Sequence, residues 1–381
     1  MLLSAVLFQA GCAGQRELKD LNITVGVGID SDEQTPGYVK ITAQVVNPSE
    51  VKSGTGDSGS SAGKGSPYIN IDSSGSNTFA AVRDFTHELD ERLYQAHTQV
   101  IILGEDIARG GIIKHLDFFV RAVETRPTVN IVVADGTAYD VLNIRPEKEK
   151  LPAMHVDKLI GSQELNSQSK PATILDYLHA MTSKTYCLTV PVVSIVSHDQ
   201  GQILVISEMG VFKEDRMVGK LNLEEARGLL WIDGKIKSGV VNVKLHDGEA
   251  AIDIKNAKSE VSVSFNNSLP VVNIDVEMTG TLATQTCGID LNTMEGMDEL
   301  RRLANQHIIY EVTRAIDKAK EYNTDIFGFG EKFHKRYKKA WRQMEDNWDV
   351  LFRQLVVNLK VVTKITSTGT IQKPTVPDPE K

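Results

Sequence analysis

The chain has 381 residues, 41% of them apolar and 24% charged, the balance of a folded protein with room for two or three domains. Fifty acidic residues against 42 basic ones give a net charge of −8, which excludes the basic surface that a nucleic-acid binder uses to displace counterions from phosphates. Three cysteines are too few for a disulfide scaffold, and no run of about 18 apolar residues supplies a membrane-spanning helix.

The first twelve residues read Met1-Leu2-Leu3-Ser4-Ala5-Val6-Leu7-Phe8-Gln9-Ala10-Gly11-Cys12. A short apolar run that ends in two small residues before a cysteine looks like the end of a bacterial lipoprotein signal. The small side chains let a peptidase approach the backbone, and the cysteine thiol is acylated. Two features depart from that pattern. Gln9 stands where an apolar residue is usual, and no Lys or Arg precedes the apolar run. On this reading residues 1–11 are a signal remnant that is removed, Cys12 is the lipidation site, and residues 12–21 are a lipidated tether. Cys187 and Cys287 show no metal-ligand spacing; they can pair outside the cytoplasm or remain two buried free thiols, and the thiols are expected.

Ile23, Val25, Val27 and Ile29 alternate with small or polar residues, as do Val39, Ile41, Ala43 and Val45, so the two segments predict a hairpin around 30–37. Residues 53–66 are mostly Gly and Ser and predict a loop without buriable side chains; Gly63-Lys64-Gly65 lacks the ending of a phosphate loop. Asn77 is placed to cap a helix carrying Phe79, Val82, Phe85, Leu89 and Leu93 on one face. A strand at 100–103, a helix at 112–121, a strand at 129–133 and one more helical turn at 138–142 follow, with a charged, proline-containing break at 145–152 before the segment 154–160. Pro171 is read as the start of a helix with Ile174, Leu175, Leu178 and Met181 facing inward.

In the second half, 203–213 and 239–245 read as strands around a helix at 223–229, and 261–265 with 272–282 read as an antiparallel pair. A long helix at about 297–322 carries the stripe Leu300, Ala304, Ile308, Val312, Ala315 and Ala319, ended by Gly328 and Gly330. One further helix is expected to carry Phe333, Tyr337, Trp341, Met344, Trp348 and Leu351, before a closing strand with Leu355, Val357, Leu359 and Val361. Hairpins and helices are grouped rather than strictly alternating, so the expected class is α+β, with antiparallel or mixed sheets packed with helices in more than one domain. The boundaries read from the pattern are an N-terminal domain at 22–197, a C-terminal α+β domain at 198–371 and a polar tail at 372–381.

No segment carries a recognisable catalytic constellation. Glu91, not histidine, stands four residues after His87, so the paired-histidine zinc motif is missing and no metal site is expected. His97 is isolated, no Gly-x-Ser-x-Gly elbow occurs, and Glu224 and Glu225 after Asn222 suit the first turn of a helix. The most unusual segment is 331–352, where Lys332, Lys335, Arg336, Lys338, Lys339 and Arg342 interleave with Phe333, Tyr337 and Trp341. Helical spacing puts the aromatics on one side, which predicts that Trp341 and Trp348 pack on the C-terminal sheet. As a candidate interaction helix, Lys335, Arg336, Tyr337, Lys338 and Trp341 would meet anionic lipid or a partner subunit.

Several blocks in order resemble the C-subunit lipoproteins of bacterial spore germinant receptors, the Ger(x)C family. Gly11-Cys12, then Arg16-Glu17-Leu18 and Val25-Gly26-Val27-Gly28-Ile29-Asp30, are similar to the family's opening, with Ala13-Gly14 where Trp-Asp is usual. Leu93-Tyr94-Gln95-Ala96-His97 leading to Ile102-Leu103-Gly104-Glu105 and Gly111-Ile112, and Phe118-Phe119-Val120-Arg121, resemble its central blocks. Gly210-Val211-Phe212-Lys213, Val218-Gly219-Lys220-Leu221, Gly228-Leu229-Leu230-Trp231 and the segment with Trp341 and Trp348 complete the match. The resemblance implies a non-enzymatic subunit with no cofactor beyond a covalent diacylglycerol on Cys12, anchored to the outer face of the spore inner membrane. Its implied partners are two integral membrane subunits and membrane lipid, in a receptor for small nutrients. A nutrient-binding module with an inter-domain cleft is the alternative role.

Overall fold

The computed structural model describes residues 21–47 and 66–366, except 88, 90, 91, 147, 148, 200, 247, 268, 289 and 292. Cys12, the tether up to residue 20, the polar tail and nearly all of the Gly/Ser segment lie outside the described residues, while Leu21, read as the end of the tether, opens the first strand.

The alternating segments form the expected hairpin: β1 (Leu21–Ser31) runs antiparallel to β2 (Val39–Val46), with Ile29 opposite Ile41. β3 (Tyr68–Gly75) extends it beyond β2, while β4 (Arg92–Tyr94) and β5 (Val100–Leu103) pair parallel with β1. β6 (Asn130–Ala134) and β7 (Thr189–His198) continue the parallel run, and β8 (Gly201–Lys213) and β9 (Arg216–Leu221) return antiparallel. The sheet order is β3-β2-β1-β5-β6-β7-β8-β9, with β4 on β1. Helices cover both faces, which is why β5 is apolar at every position and wholly buried. Ile101 and Leu103 enter one core with Phe85, Leu116 and Phe119; Val100 and Ile102 enter the other with Leu142 and Val156.

In the N-terminal half, two helices differ from the sequence pattern. Asn77 does cap α1 (Thr78–Asp84), accepting from Ala80 N at 3.0 Å, but a 3-10 turn at 85–87 ends it. Leu93 belongs to β4, opposite Asn22 of β1, so sheet pairing overrides the helical period there, and Phe79 is left exposed. The segment after Pro171 becomes helical only at α6 (Ile174–Thr182), started by a capping box of Thr173 and Asp176. Its buried face is Ile174, Tyr177 and Ala180, not Leu175, which is exposed. Between them lie α2 (Glu105–Gly110), α3 (Ile113–Arg121), α4 (Ala138–Asn143) and α5 (Pro152–Asn166).

The second sheet is an antiparallel meander of β10 (Val240–Leu245), β11 (Gly248–Asn266) and β12 (Leu269–Gln285), closed by β13 (Val356–Ile365) parallel to β12. α7 (Leu223–Ile232) and α8 (Met294–Tyr322) pack in its core, and all six stripe residues of α8 are fully buried. The expected single helix after Gly330 is instead α9 (Phe329–Arg336), α10 (Lys338–Met344) and α11 (Trp348–Gln354). Tyr337 leaves helical geometry between the first two, and its ring meets Phe265 of β11 edge-on at 5.1 Å. Trp341 and Trp348 therefore occupy different helices, yet their rings lie 5.2 Å apart and both are buried.

The class is α+β with mixed sheets. The boundary read at 197/198 falls inside the first sheet, since β8 and β9 extend it to Leu221. These two strands serve both halves: Phe212 and Met217 enter the N-terminal core, while Met209, Val211 and Leu221 enter the C-terminal one. Among the described residues, no helix is long and apolar enough to cross a membrane.

Candidate functional site

The two halves enclose a cleft of about 440 Å³. The loop before α6 supplies Lys170, α6 supplies His179, and the strand approach to β7 supplies Tyr186 and Leu188. From the C-terminal side come Asp233 at the end of α7, then Lys235 and Lys237, Phe327, and Glu331, Lys332 and Lys335 of α9. Five lysines thus face three carboxylates (Asp176, Asp233 and Glu331), a local cationic excess on an acidic chain.

Two bridges cross the cleft. Lys170 Nζ lies 2.6 Å from Asp233 Oδ2. Burial works against the ammonium, but Asp233 beside it holds Lys170 above the ordinary lysine range. On the other side, His179 Nε2 lies 2.9 Å from Glu331 Oε1, and Ser183 Oγ donates to the same oxygen at 2.8 Å. The imidazole also stacks on Tyr186, with ring centres 4.9 Å apart, and burial pushes the Tyr186 hydroxyl up. A second hollow of about 510 Å³, lined by Trp341 and Lys184 among others, shares His179, Glu331 and Lys335 with the first.

Helix α9 is held in place from inside the core. Asp325 is buried, and its carboxylate accepts from Phe329 N at 2.9 Å, Gly330 N at 2.7 Å and Trp348 Nε1 at 3.1 Å. Burial outweighs these donors and pushes the carboxyl up to about 6. Asp325 also ties the two halves together, since its carbonyl accepts from Cys187 N at 3.1 Å.

Of the candidate interaction residues, Lys335, Arg336 and Lys338 are exposed and Tyr337 is half-buried under the Arg336 guanidinium. Trp341 is only 3% exposed: most of its indole packs in the core, and what remains lines the second hollow. Cys187 is half-buried and Cys287 is buried. His87 and His97 are exposed. Glu225 completes a capping box with Asn222 at the start of α7, as its position in a first turn requires. Among the described residues, no group of three or more His, Cys, Asp or Glu side chains converges as a metal ion would need.

Residues 14–195 match the spore germination protein N-terminal domain, and residues 207–369 match the family described as spore germination B3/GerAC like, C-terminal. The chain belongs to the Ger(x)C family of spore germination proteins. Spore germination protein KC of Bacillus subtilis (strain 168) is 25% identical, over 98% of this chain and 96% of its own. Spore germination protein YndF of the same organism is 26% identical, over 95% and 94%. The crystal structure of the GerBC protein has the same fold, with a TM-score of 0.59 at 22% identity over 89% of this chain and 96% of that one.

The blocks that resemble the Ger(x)C family are joints of the fold. Asp30 accepts from Ala138 N at 2.7 Å and Tyr139 N at 2.9 Å, and a Cβ on Gly104 would strike its carboxylate at 2.2 Å. Glu105 and Asp135 share Lys220 Nζ, at 3.4 and 2.6 Å. Gly228 lets α7 touch α8, because a Cβ there would fall 2.0 Å from Glu311 O. Three residues on, Trp231 Nε1 donates to Glu311 Oε2 at 2.7 Å. The cleft, by contrast, was not legible in the sequence. His179 and Glu331 are 152 residues apart, and only the Lys235-x-Lys237 and Lys332/Lys335 spacings hinted at a basic surface.

Proposed function

We propose that this chain is a lipid-anchored, non-enzymatic subunit of a nutrient germinant receptor, needed for receptor assembly and signalling beside two integral membrane subunits. The observation that carries the reading is the match of both halves, in order, to spore-germination domains. Supporting it, the described buried acids serve structure: Asp30, Glu225 and Asp325 accept from the N–H groups at helix starts and Glu311 joins α7 to α8. Cys12 carries the diacylglyceryl group and holds the chain on the outer face of the spore inner membrane. Two acyl chains give a stable anchor where one gives reversible binding.

The test is metabolic lipid labelling with fractionation in cells that lack both membrane subunits. The parent chain takes up label and pellets with membranes. Cys12→Ala loses the label, shifts to the soluble fraction and lowers germination responses, while the fold persists. An unlabelled parent chain that still pellets would sink the Cys12 anchor.

A second reading, capture of a small nutrient by this subunit, is favoured by the basic cleft. Calorimetric titration of the protein with candidate amino acids and sugars separates the two. Saturable heat that disappears in Lys332→Ala would support capture, and its absence would leave the assembly role.

A further inference from the structure

We propose that the apolar groove between α1 and α3 is the face that this chain lays on the lipid bilayer, with Val123 and Leu93 at the end that meets hydrocarbon. The proposal rests on the Cys12 anchor proposed above.

The groove has a volume of about 510 Å³ and its walls include Phe79, Val82, Leu89, Leu93, Phe118 and Val123. Phe79 is 56% exposed, and Val123, in the turn after α3, is fully exposed. An apolar hollow with bulky side chains left in water marks a contact surface rather than ordinary scatter. What covers it follows from the topology. Leu21 begins β1 with Arg92 as its register partner, and the partner of Asn22 is Leu93, on the wall of the groove. The turn bearing Val123 leads into β6 at the same end of the sheet, since Gly26 pairs with Val100 and Val100 with Asn130. The chain from Cys12 therefore enters the fold beside the mouth of the groove.

Length decides which end of the domain can touch the membrane. The eight residues 13–20 span at most about 29 Å even when fully extended. The far end of β1, at Ser31, lies about 33 Å beyond Leu21 along the strand. A tether of this length brings the Leu93/Val123 end to the bilayer surface more readily than the Tyr38 end. Charge does not drive the contact. The charged wall residues, Arg83 and Glu124, are of opposite sign, and Arg121 is paired with Asp117, so the attraction is apolar and insensitive to salt.

The experiment couples the full chain through its Cys12 thiol to a maleimide-bearing lipid in phosphatidylcholine vesicles. Cys287 is buried and burial pushes the Cys187 thiol up to about 12, so coupling is directed to Cys12. Val123→Trp is the reporter; Trp231, Trp341 and Trp348 are buried and give a constant background. With brominated acyl chains, the emission of the added indole is expected to fall about twofold or more, because an interfacial side chain sits about 5–10 Å into the bilayer. The same fall is expected at low and high salt, and Tyr38→Trp at the far end should show none. Unquenched Val123→Trp, or equal quenching at both positions, overturns the proposal. So does shielding of Val123→Trp that appears only as protein density rises, which would assign the groove to a second copy. Chemical coupling makes the outcome independent of acylation in cells. Failure of metabolic labelling removes the Cys12 reading, and failure of quenching removes the groove.

Discussion

At the scale of single residues, the most consequential group is Glu311. Its carboxylate accepts from Arg227 Nε at 2.8 Å and Trp231 Nε1 at 2.7 Å and lies 3.4 Å from His307 Nε2, all in the interface of α7 and α8. Burial raises its pKa, but His307, Arg227 and Trp231 together overcome that and hold the carboxyl below its usual range. The stability it contributes is therefore present above the unfolded pKa and lost as pH falls through the folded one. Glu311→Ala strands a buried guanidinium and an indole N–H, and chemical denaturation should show a loss of about 3–5 kcal/mol. Glu311→Gln, which still accepts from Trp231, should lose less; equal losses would refute a hydrogen-bonding role.

Asp325 has the opposite sign. Its folded carboxyl titrates near 6 against 3.8 for an ordinary aspartate, so the folded state holds the proton more tightly. On this group's account stability is greatest below pH about 4 and falls as pH rises through 6. Asp325→Asn should remove that slope. It should also cost about 1–3 kcal/mol at neutral pH, because the amide NH₂ replaces an acceptor for the helix N–H groups. Denaturant midpoints measured between these pH values, for both proteins, check the slope. An unchanged slope in the variant would assign it to other groups.

At the scale of elements, the stripe of α8 was readable because helical periodicity depends only on local spacing, and Leu300 through Ala319 fall on one buried face. The break at Tyr337 was not. No Gly or Pro marks it, and its cause is a ring contact with a strand more than seventy residues earlier. The indole of Trp341 survives this break as core, against Trp348 and stacked under His334. Trp341→Ala should therefore lower unfolding free energy by about 3–5 kcal/mol. A near-neutral result accompanied by failed receptor assembly would return this side chain to the interaction surface.

At the scale of the whole molecule, the β8–β9 hairpin and the cleft bridges join the halves. Lys170–Asp233 and His179–Glu331 each link an N-terminal element to a C-terminal one. Lys170→Ala leaves Asp233 partly buried without its partner and should cost a few kcal/mol, about the lower end of what breaking a buried pair costs. A double-mutant cycle with Asp233→Ala should recover part of that loss, and additive losses would show that the pair is not coupled. Limited proteolysis of the variants between residues 222 and 239 reports whether the halves loosen.

The sequence alone determined the class of most elements, the buried faces of the long helix and the hairpins, and the family, because each depends on local periodicity or on the order of short blocks. It also exposed the Gly-x-x-Trp of α7 as a motif, though not that Gly228 makes room for Glu311 O or that Trp231 binds the Glu311 side chain. Only the tertiary structure decided that residues 201–221 complete the N-terminal sheet, that α1 yields to β4 before Leu93, and that five lysines gather around one cleft. The physical reason is the same in each case. Sheet pairing and inter-domain contacts join residues far apart in the chain, and their free energy outweighs the few tenths of a kcal/mol per residue by which local propensity chooses between helix and strand.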